Sequence, residues 1–272
     1  MGTAFLAADA VAVVTGAASG IGKAVCLRLA ERGLKIAMAD LRAEPLQAAA
    51  EEVAAVAGAS KVMQRALDVS DEAAVSAFSD SVFERFGRVD FLMNNAAMRV
   101  AGGTREDIAE WRHTMDVNFW GAVYAERAFL PRMIEQDTPA AIVNTGSKQG
   151  ITNPPGNLIY NVTKSALKSY TEGLQHHLRN VDGCKVSAHL LVPGFTTTGE
   201  RTPQSEAWMP VQVADRMISA LEDGDFYIIC EDGEVTAEMD AKRMLWAVGD
   251  IIENRPPLSR WHPDWGDKFK QS

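Results

Sequence analysis

At 272 residues, 47% of them hydrophobic and 23% charged, the chain is long enough to bury a large α/β core. Asp+Glu 36 against Lys+Arg 27 leaves a net charge of −9, which argues against a nucleic-acid or anionic-membrane partner. The three scattered cysteines, Cys26, Cys184 and Cys230, give neither a disulfide frame nor CxxC metal-ligand spacing, and read as core filler in a reducing cytoplasm.

The run Met1 to Val14 lacks a basic n-region and reads as a leader into a buried strand, not a signal peptide. No stretch reaches the ~18 apolar residues expected of a membrane span. From Val11 to Val14 an apolar, β-branched strand meets the turn Gly16-Ala17-Ala18-Ser19-Gly20-Ile21-Gly22, and a helical pattern follows from about Lys23 to Arg32. Strand, glycine turn and helix in that order suit a pyrophosphate. The glycines allow a sharp turn and a close approach, and the free N–H groups of the helix N-terminus favour an anion. A second strand, Lys35 to Ala39, ends in Asp40, 18 residues after Gly22. A carboxylate there can accept from an adenosine ribose 2′-hydroxyl and repels a 2′-phosphate, so NAD is favoured over NADP. Arg42 could serve such a phosphate, but reads first as a solvated first-turn residue of the next helix.

The alternation continues with a helix from Glu44 to Val56, a strand from Val62 to Leu67 ending at Asp68-Val69, and a helix from Asp71 to Phe86. A strand from Val89 to Met93 then ends in Asn94-Asn95-Ala96-Ala97. Repeated βα units predict a doubly wound, mainly parallel seven-stranded sheet of Rossmann type, with ligands outside the C-terminal strand ends. Thr104 to Asp107 has the form of a capping box, opening one long helix to about Glu135. Asn118 and Gly121 are poor helix formers inside it, and a buried mid-helix asparagine needs either polar neighbours or a loosened turn. A fifth strand from Ala140 to Val143 leads through Asn144-Thr145-Gly146-Ser147 and a Pro/Gly loop at 153–157 into a helix running to about Leu178.

That helix carries Tyr160 and Lys164, four residues apart and so on one face. An ammonium beside a phenol is expected to lower the tyrosine pKa toward a value suited to general acid–base work. A sixth strand, Val186 to Val192, ends in Pro193-Gly194-Phe195-Thr196-Thr197-Thr198.

Together these motifs make residues 9 to 230 resemble the short-chain dehydrogenase/reductase family, of the compact single-domain type. The resemblance implies an NAD-dependent alcohol dehydrogenase or ketoreductase acting on a secondary alcohol or ketone. It implies a catalytic tetrad of Asn118, Ser147, Tyr160 and Lys164, with Ser147 the usual 13 residues before the tyrosine. Tyr160 would transfer the proton, Lys164 would lower its pKa and hold the nicotinamide ribose, and Ser147 would orient the substrate oxygen. Asn118 would hold a water linking Lys164 to solvent. The implied cofactor contacts are Gly16, Ser19, Gly20, Ile21, Gly22, Asp40, Asp68, Val69, Asn95, Ala96, Tyr160, Lys164, Pro193, Gly194, Thr196 and Thr198. Ala97 replaces the family's usual glycine, and its methyl is expected to crowd the cofactor slightly. Gln149, Phe195 and Trp208, with Met98, Lys148 and Asn153, are expected near the substrate mouth. No metal is implied, and a homodimer or homotetramer is usual, built on the helices at 104–135 and 157–180.

Two other readings were weighed: a regulatory NAD sensor, which would typically lack the tyrosine, and a larger epimerase-type relative, whose glycine turn and substrate domain are not found here. His113, His189 and His262 have no partners at ligand spacing and read as structural, while the adjacent His176 and His177 read as solvated. The segment from Gly199 to Met209 implies a small lid. A helix from Pro210 to Leu221, a strand from Asp225 to Cys230 and an amphipathic helix from Glu234 to Glu253 complete a domain at 1–254. Residues 255–272 then read as an extended aromatic tail that packs on its own subunit or, preferably, reaches a neighbour's active-site rim.

Overall fold

The apolar run at the N-terminus becomes an inner strand of a seven-stranded parallel sheet in the order β3-β2-β1-β4-β5-β6-β7. A computed structural model describes residues 3–99, 107–198, 202 and 204–272. The strands are β1 (Val11–Thr15), β2 (Lys35–Asp40), β3 (Val62–Ala66), β4 (Phe91–Asn94), β5 (Ala140–Thr145), β6 (Val186–Val192) and β7 (Tyr227–Ile229). The helices are α1 (Gly20–Glu31), α2 (Ala43–Ala57), α3 (Glu72–Phe86), α4 (Ile108–Met115), α5 (Gly121–Glu135), α6 (Gln149–Thr152), α7 (Leu158–Arg179), α8 (Pro210–Asp223), α9 (Ala237–Ile252) and α10 (Gly266–Gln271). This is the doubly wound Rossmann-type architecture that the βα alternation predicts.

Strand periodicity sorts the core. In β1, Ala12 and Val14 point to the layer under α1, α2 and α8, with Leu29, Leu46 and Met217. Val11 and Val13 point to the layer under α3, α5 and α7, with Phe78, Phe129 and Leu178. Burying each such large side chain contributes about 1.5–3 kcal/mol. The chain leaves β1 in opposite directions toward β2 and toward β4, so the crevice between β1 and β4, at their C-terminal ends, is the switch point where such folds take ligands. Cys26 and Cys230 lie buried in the first layer, and none of the three cysteines is in a disulfide. Among the described residues no helix is long and apolar enough to cross a membrane.

Two expectations need correction. The predicted helix over 104–135 is two helices, α4 and α5, joined by a π-turn at Asp116–Trp120. Asp107 caps α4 by accepting from Ala109 N, and Thr104 lies outside the described residues. Between Ser147 and the Pro/Gly loop at 153–157, where the sequence assigns no element, lies the short helix α6. It sits close against α7 because Gly150 has no side chain: a Cβ there would stand 2.6 Å from the Lys164 carbonyl carbon.

The tail is not extended. A 3₁₀ turn at Ser259–Trp261 and α10 fold it back on α9 of the same chain. Arg255 lies 4.2 Å over the Trp246 ring and donates to Trp246 O at 2.6 Å. Trp246 Nε1 in turn donates to Ser259 Oγ at 2.7 Å, and its ring meets Phe269 edge-on at 5.3 Å. An aromatic and arginine clamp of this kind holds the tail on its own chain, with Phe269 and Arg255 packed on Trp246 of α9.

Candidate active site

A cleft of about 1090 Å³ opens over the C-terminal strand ends. Its first wall is backbone. Gly16 adopts φ +65, and a Cβ on Gly22 would run into the Gly16 carbonyl oxygen, so the turn closes only with glycine at both. Ser19 precedes α1 without capping it, which leaves the first N–H groups of α1 open where Ser19, Gly20 and Ile21 line the cleft. Asn95 ties this turn to the sheet: Nδ2 donates to Thr15 O at 3.1 Å and Gly16 O at 3.3 Å, and Oδ1 accepts from Thr145 Oγ1. A cradle that a Cβ would fill, at an uncapped helix N-terminus, fits a dinucleotide.

Asp40 is nearly buried at the tip of β2. Its Oδ2 accepts from Ala18 N at 3.1 Å, and its Oδ1 from Arg42 N at 3.0 Å and Arg42 Nε at 3.4 Å, so Oδ2 keeps a lone pair for another donor. Arg42 is not a solvated first-turn residue. It precedes α2, and its Nη2 reaches back across the loop to donate to Ser19 Oγ at 3.0 Å. Asp68 and Val69 line the same end, with Asp68 Oδ1 accepting from Ser70 N and Oγ at 2.9 and 2.7 Å. Ala96 and Ala97 also line the cleft.

Ser147, at the end of β5, and Tyr160 and Lys164, on one face of α7, converge on the cleft floor. Lys164 is 2% exposed, and its Nζ donates to Thr145 O at 2.6 Å. Burial lowers its pKa from 10.5 to about 8. The Nζ lies 5.6 Å from the Tyr160 ring centre. The expected lowering of the tyrosine by this lysine is not what the cleft shows. Desolvation raises the Tyr160 pKa, opposed by the Arg99 charge and by the Ser147 hydroxyl. The cation that acts on the phenol is Arg99, whose guanidinium carbon is 5.0 Å from the ring centre. Spacing of i and i+4 brings two side chains together but does not fix where the ammonium points, and here a backbone carbonyl takes it.

Asn118 is buried in the π-turn. Its Nδ2 donates to Met98 O at 3.0 Å and to Thr163 Oγ1 at 3.1 Å, and its Oδ1 accepts from Met98 N at 2.8 Å. Both alternatives expected of a mid-helix asparagine therefore hold at once: a loosened turn and satisfied polar neighbours.

On the far wall, Gln149, Phe195, Met98 and Lys148 line the cleft as expected, and so do Pro193, Gly194, Thr196 and Thr198. Trp208 does not. Its backbone bridges Thr196 and its ring packs on the first core layer beside Ile21. Asn153 is turned away, at φ 47, accepting from Ser165 Oγ. His113, read as structural, lines the cleft. Of the lid segment, residues 199–201 and 203 lie outside the described residues.

Sequence reasoning missed Asp232, Asp240, Arg243, Met244 and Arg260, which complete this wall from beyond β7. Lys148 joins them to the floor: its Nζ stands 3.2 Å from Asp232 Oδ2 and 2.6 Å from Asp240 Oδ2, the second an ion contact without aligned hydrogen-bond geometry. Asp232 Oδ2 also accepts from Phe195 N at 2.9 Å. No metal-ligand cluster of three or more His, Cys, Asp or Glu occurs among the described residues.

A family model for short chain dehydrogenases matches residues 10–208. The 1-deoxy-11-beta-hydroxypentalenate dehydrogenase of Streptomyces avermitilis is 32% identical, the match covering 86% of this chain and 89% of that protein. Among solved structures, a short-chain dehydrogenase/reductase from Burkholderia phymatum in complex with NAD superposes with a TM-score of 0.83 at 33% identity, covering 92% of this chain and 96% of that one. A metagenomic short-chain oxidoreductase in complex with NADP gives 0.71 at 27% identity, over 83% of this chain and 98% of that one.

Proposed function

The chain belongs to the short-chain dehydrogenase family of oxidoreductases, and we propose that it transfers a hydride between NAD(H) and a secondary alcohol or ketone, with Tyr160 as the general acid–base. The observation that carries this reading is the convergence of Ser147, Tyr160 and Lys164 on one cleft floor beside the glycine cradle.

Bound there, the nicotinamide supplies or takes the hydride at the substrate carbon. In reduction Tyr160 gives its phenolic proton to the carbonyl oxygen, so one hydride and one proton make the carbinol; in oxidation it takes that proton back. Ser147 Oγ hydrogen-bonds the same oxygen and orients it. Lys164 donates one of its three N–H bonds to Thr145 O, leaving the others for the cofactor's ribose. Arg99 is the cation beside the ring and steadies the phenolate left after proton transfer. Asn118 fixes the backbone at Met98 and the Thr163 side chain beside Lys164, and the second lone pair of its Oδ1 is the place for a relay water. Gly16, Ser19, Gly20, Ile21 and Gly22 would hold the pyrophosphate, Asp68, Val69, Asn95 and Ala96 the adenosine side, and Pro193, Gly194, Thr196 and Thr198 the nicotinamide side.

Asp40 favours NAD through the remaining lone pair of its Oδ2. Arg42, drawn over Ser19, supports a second reading, an NADP-preferring carbonyl reductase in which that guanidinium takes the 2′-phosphate. A homodimer or homotetramer fits the exposed Trp120, Leu158 and Val162 near the π-turn and on α7.

The deciding experiment follows NADH and then NADPH absorbance across ketones from small aliphatic to bulky aromatic, with Tyr160→Phe alongside. Tyrosine-dependent oxidation of NADH is the expected result. Preference for NADPH would give the cofactor choice to Arg42. Turnover retained in Tyr160→Phe would sink the acid–base assignment, and tight cofactor binding without turnover of any ketone would make the protein a sensor.

A further inference from the structure

The far wall carries more positive charge than its carboxylates balance. Lys148, Arg243 and Arg260 line it, against Asp232 and Asp240. Lys148 takes up both carboxylates, at 3.2 and 2.6 Å, and Arg243 is left with a long contact, 3.9 Å from Asp240 Oδ1. Arg260 is clamped flat, its guanidinium carbon 3.9 Å from the Trp261 ring centre and 5.6 Å from that of Phe269. Its Nη1 is buried with no hydrogen-bond partner among the described residues. Burial together with the Arg243 charge pushes the Arg260 pKa down to about 10, so the two guanidinia feel each other across the wall.

Such a pair is costly unless something anionic faces it, and Asp240, the carboxylate whose charge reaches both, is already held by Lys148 at 2.6 Å. The cofactor's phosphates are spoken for at the other end, by the open N-terminus of α1 and by Arg42. The arginine pair stands at the substrate end, on α9 and the turn that follows it, anchored through Lys148 next to Ser147.

We propose that Arg243 and Arg260 form an oxyanion subsite for the substrate, so that the preferred ketone carries a carboxylate remote from its carbonyl. The proposal rests on the hydride-transfer reading for the word ketone, and on the arginine geometry alone for the anion. Guanidinium forks suit the paired oxygens of a carboxylate, and Met244, lining the same cleft, suits an apolar linker.

The test uses straight-chain methyl ketones of increasing length ending in a carboxylate, each beside its methyl ester, with the full chain and NADH. At the best length the acid should exceed its ester by about tenfold or more in kcat/KM, the worth of a charge-assisted hydrogen bond. That ratio should collapse toward one in Arg243→Gln and in Arg260→Gln, and survive in part in Arg260→Lys, which keeps the charge. Should Arg260→Gln fail to fold, Arg243→Gln, whose ion contact among the described residues is the long one to Asp240, carries the test. Esters that match their acids at every length, or an acid preference untouched by both glutamine variants, would overturn the subsite and leave the ketoreductase reading standing. If no ketone turns over, calorimetry of the acids against NAD-loaded protein decides. Binding lost in Arg243→Gln sustains the subsite while the hydride reading falls, and no binding of any acid overturns it.

Discussion

The wall made by β1, β2 and α1 turns backbone toward the cleft, and the wall made by α6, α9 and the tail turns charged side chains toward it. In the first, Gly16 and Gly22 remove atoms so that amides can approach, and Asn95 pins the loop. In the second, Lys148, Asp232, Asp240, Arg243 and Arg260 hold one another across elements far apart in the chain. A backbone site admits one ligand shape and serves every substrate, while a side-chain site is free to differ. The family match ends at residue 208, before α9 and the tail begin.

Lys148→Met cuts the joint between the walls and leaves two nearly buried carboxylates facing each other. Loss of one partner from such a pair costs about 3 kcal/mol or more. Urea unfolding should show that loss at neutral pH, shrinking as the pH falls and the carboxylates take up protons. NADH affinity should fall less than stability, since the glycine cradle is on the other side and the Lys148 side chain reaches the nicotinamide side through Asp232 and the Phe195 backbone; an equal fall in NADH binding would mean the walls are one unit.

Lys164→Met addresses the floor. Because burial holds the folded-state pKa near 8, below the ordinary 10.5, the empty protein carries a penalty at pH 7 that is relieved between pH 8 and 10.5, where the unfolded chain still binds the proton. The variant should therefore be more stable than the parent at pH 7 without cofactor, by up to about 3 kcal/mol. The gain should fade toward the top of that window, and turnover should be lost. Equal melting temperatures at pH 7 would contradict the buried, poorly compensated ammonium.

A methyl added by Gly22→Ala should weaken NADH binding by roughly 10- to 100-fold, read by fluorescence titration, without touching the acid-to-ester preference of the far wall. The smallest effect is expected from Ile251→Ser on the outer face of α9, where the side chain is 82% exposed. Stability of the dilute protein should change by less than about 0.5 kcal/mol. A larger loss would show that this face is covered in solution.

Much of the first wall is legible in the sequence because its signals are local. Glycine spacing, strand ends and the one-turn offset of Tyr160 and Lys164 are all written within a few residues. The second wall is written in pairs such as Lys148 with Asp240, 92 positions apart, which no periodicity reports. Trp208 was misplaced for a related reason: its neighbour in space is set by a backbone bridge to Thr196, and that turns the indole into the core. The tyrosine's environment failed at the level of direction, since the position of Lys164 was readable but its preference for the Thr145 carbonyl was not.

The order of the two walls along the chain also sets the order in which they come into being. During synthesis the cradle, β1 to α1, leaves the ribosome more than two hundred residues ahead of Arg260, a lag of tens of seconds at ordinary elongation rates of about 5–20 residues per second. A nascent chain paused or cut after β7 would hold the glycine turn and the Tyr160–Lys164 helix and lack Arg243 and Arg260, the residues proposed to take the substrate's carboxylate. On that proposal, discrimination is the last property this polypeptide acquires, and the first that a protease trimming its far end would take away.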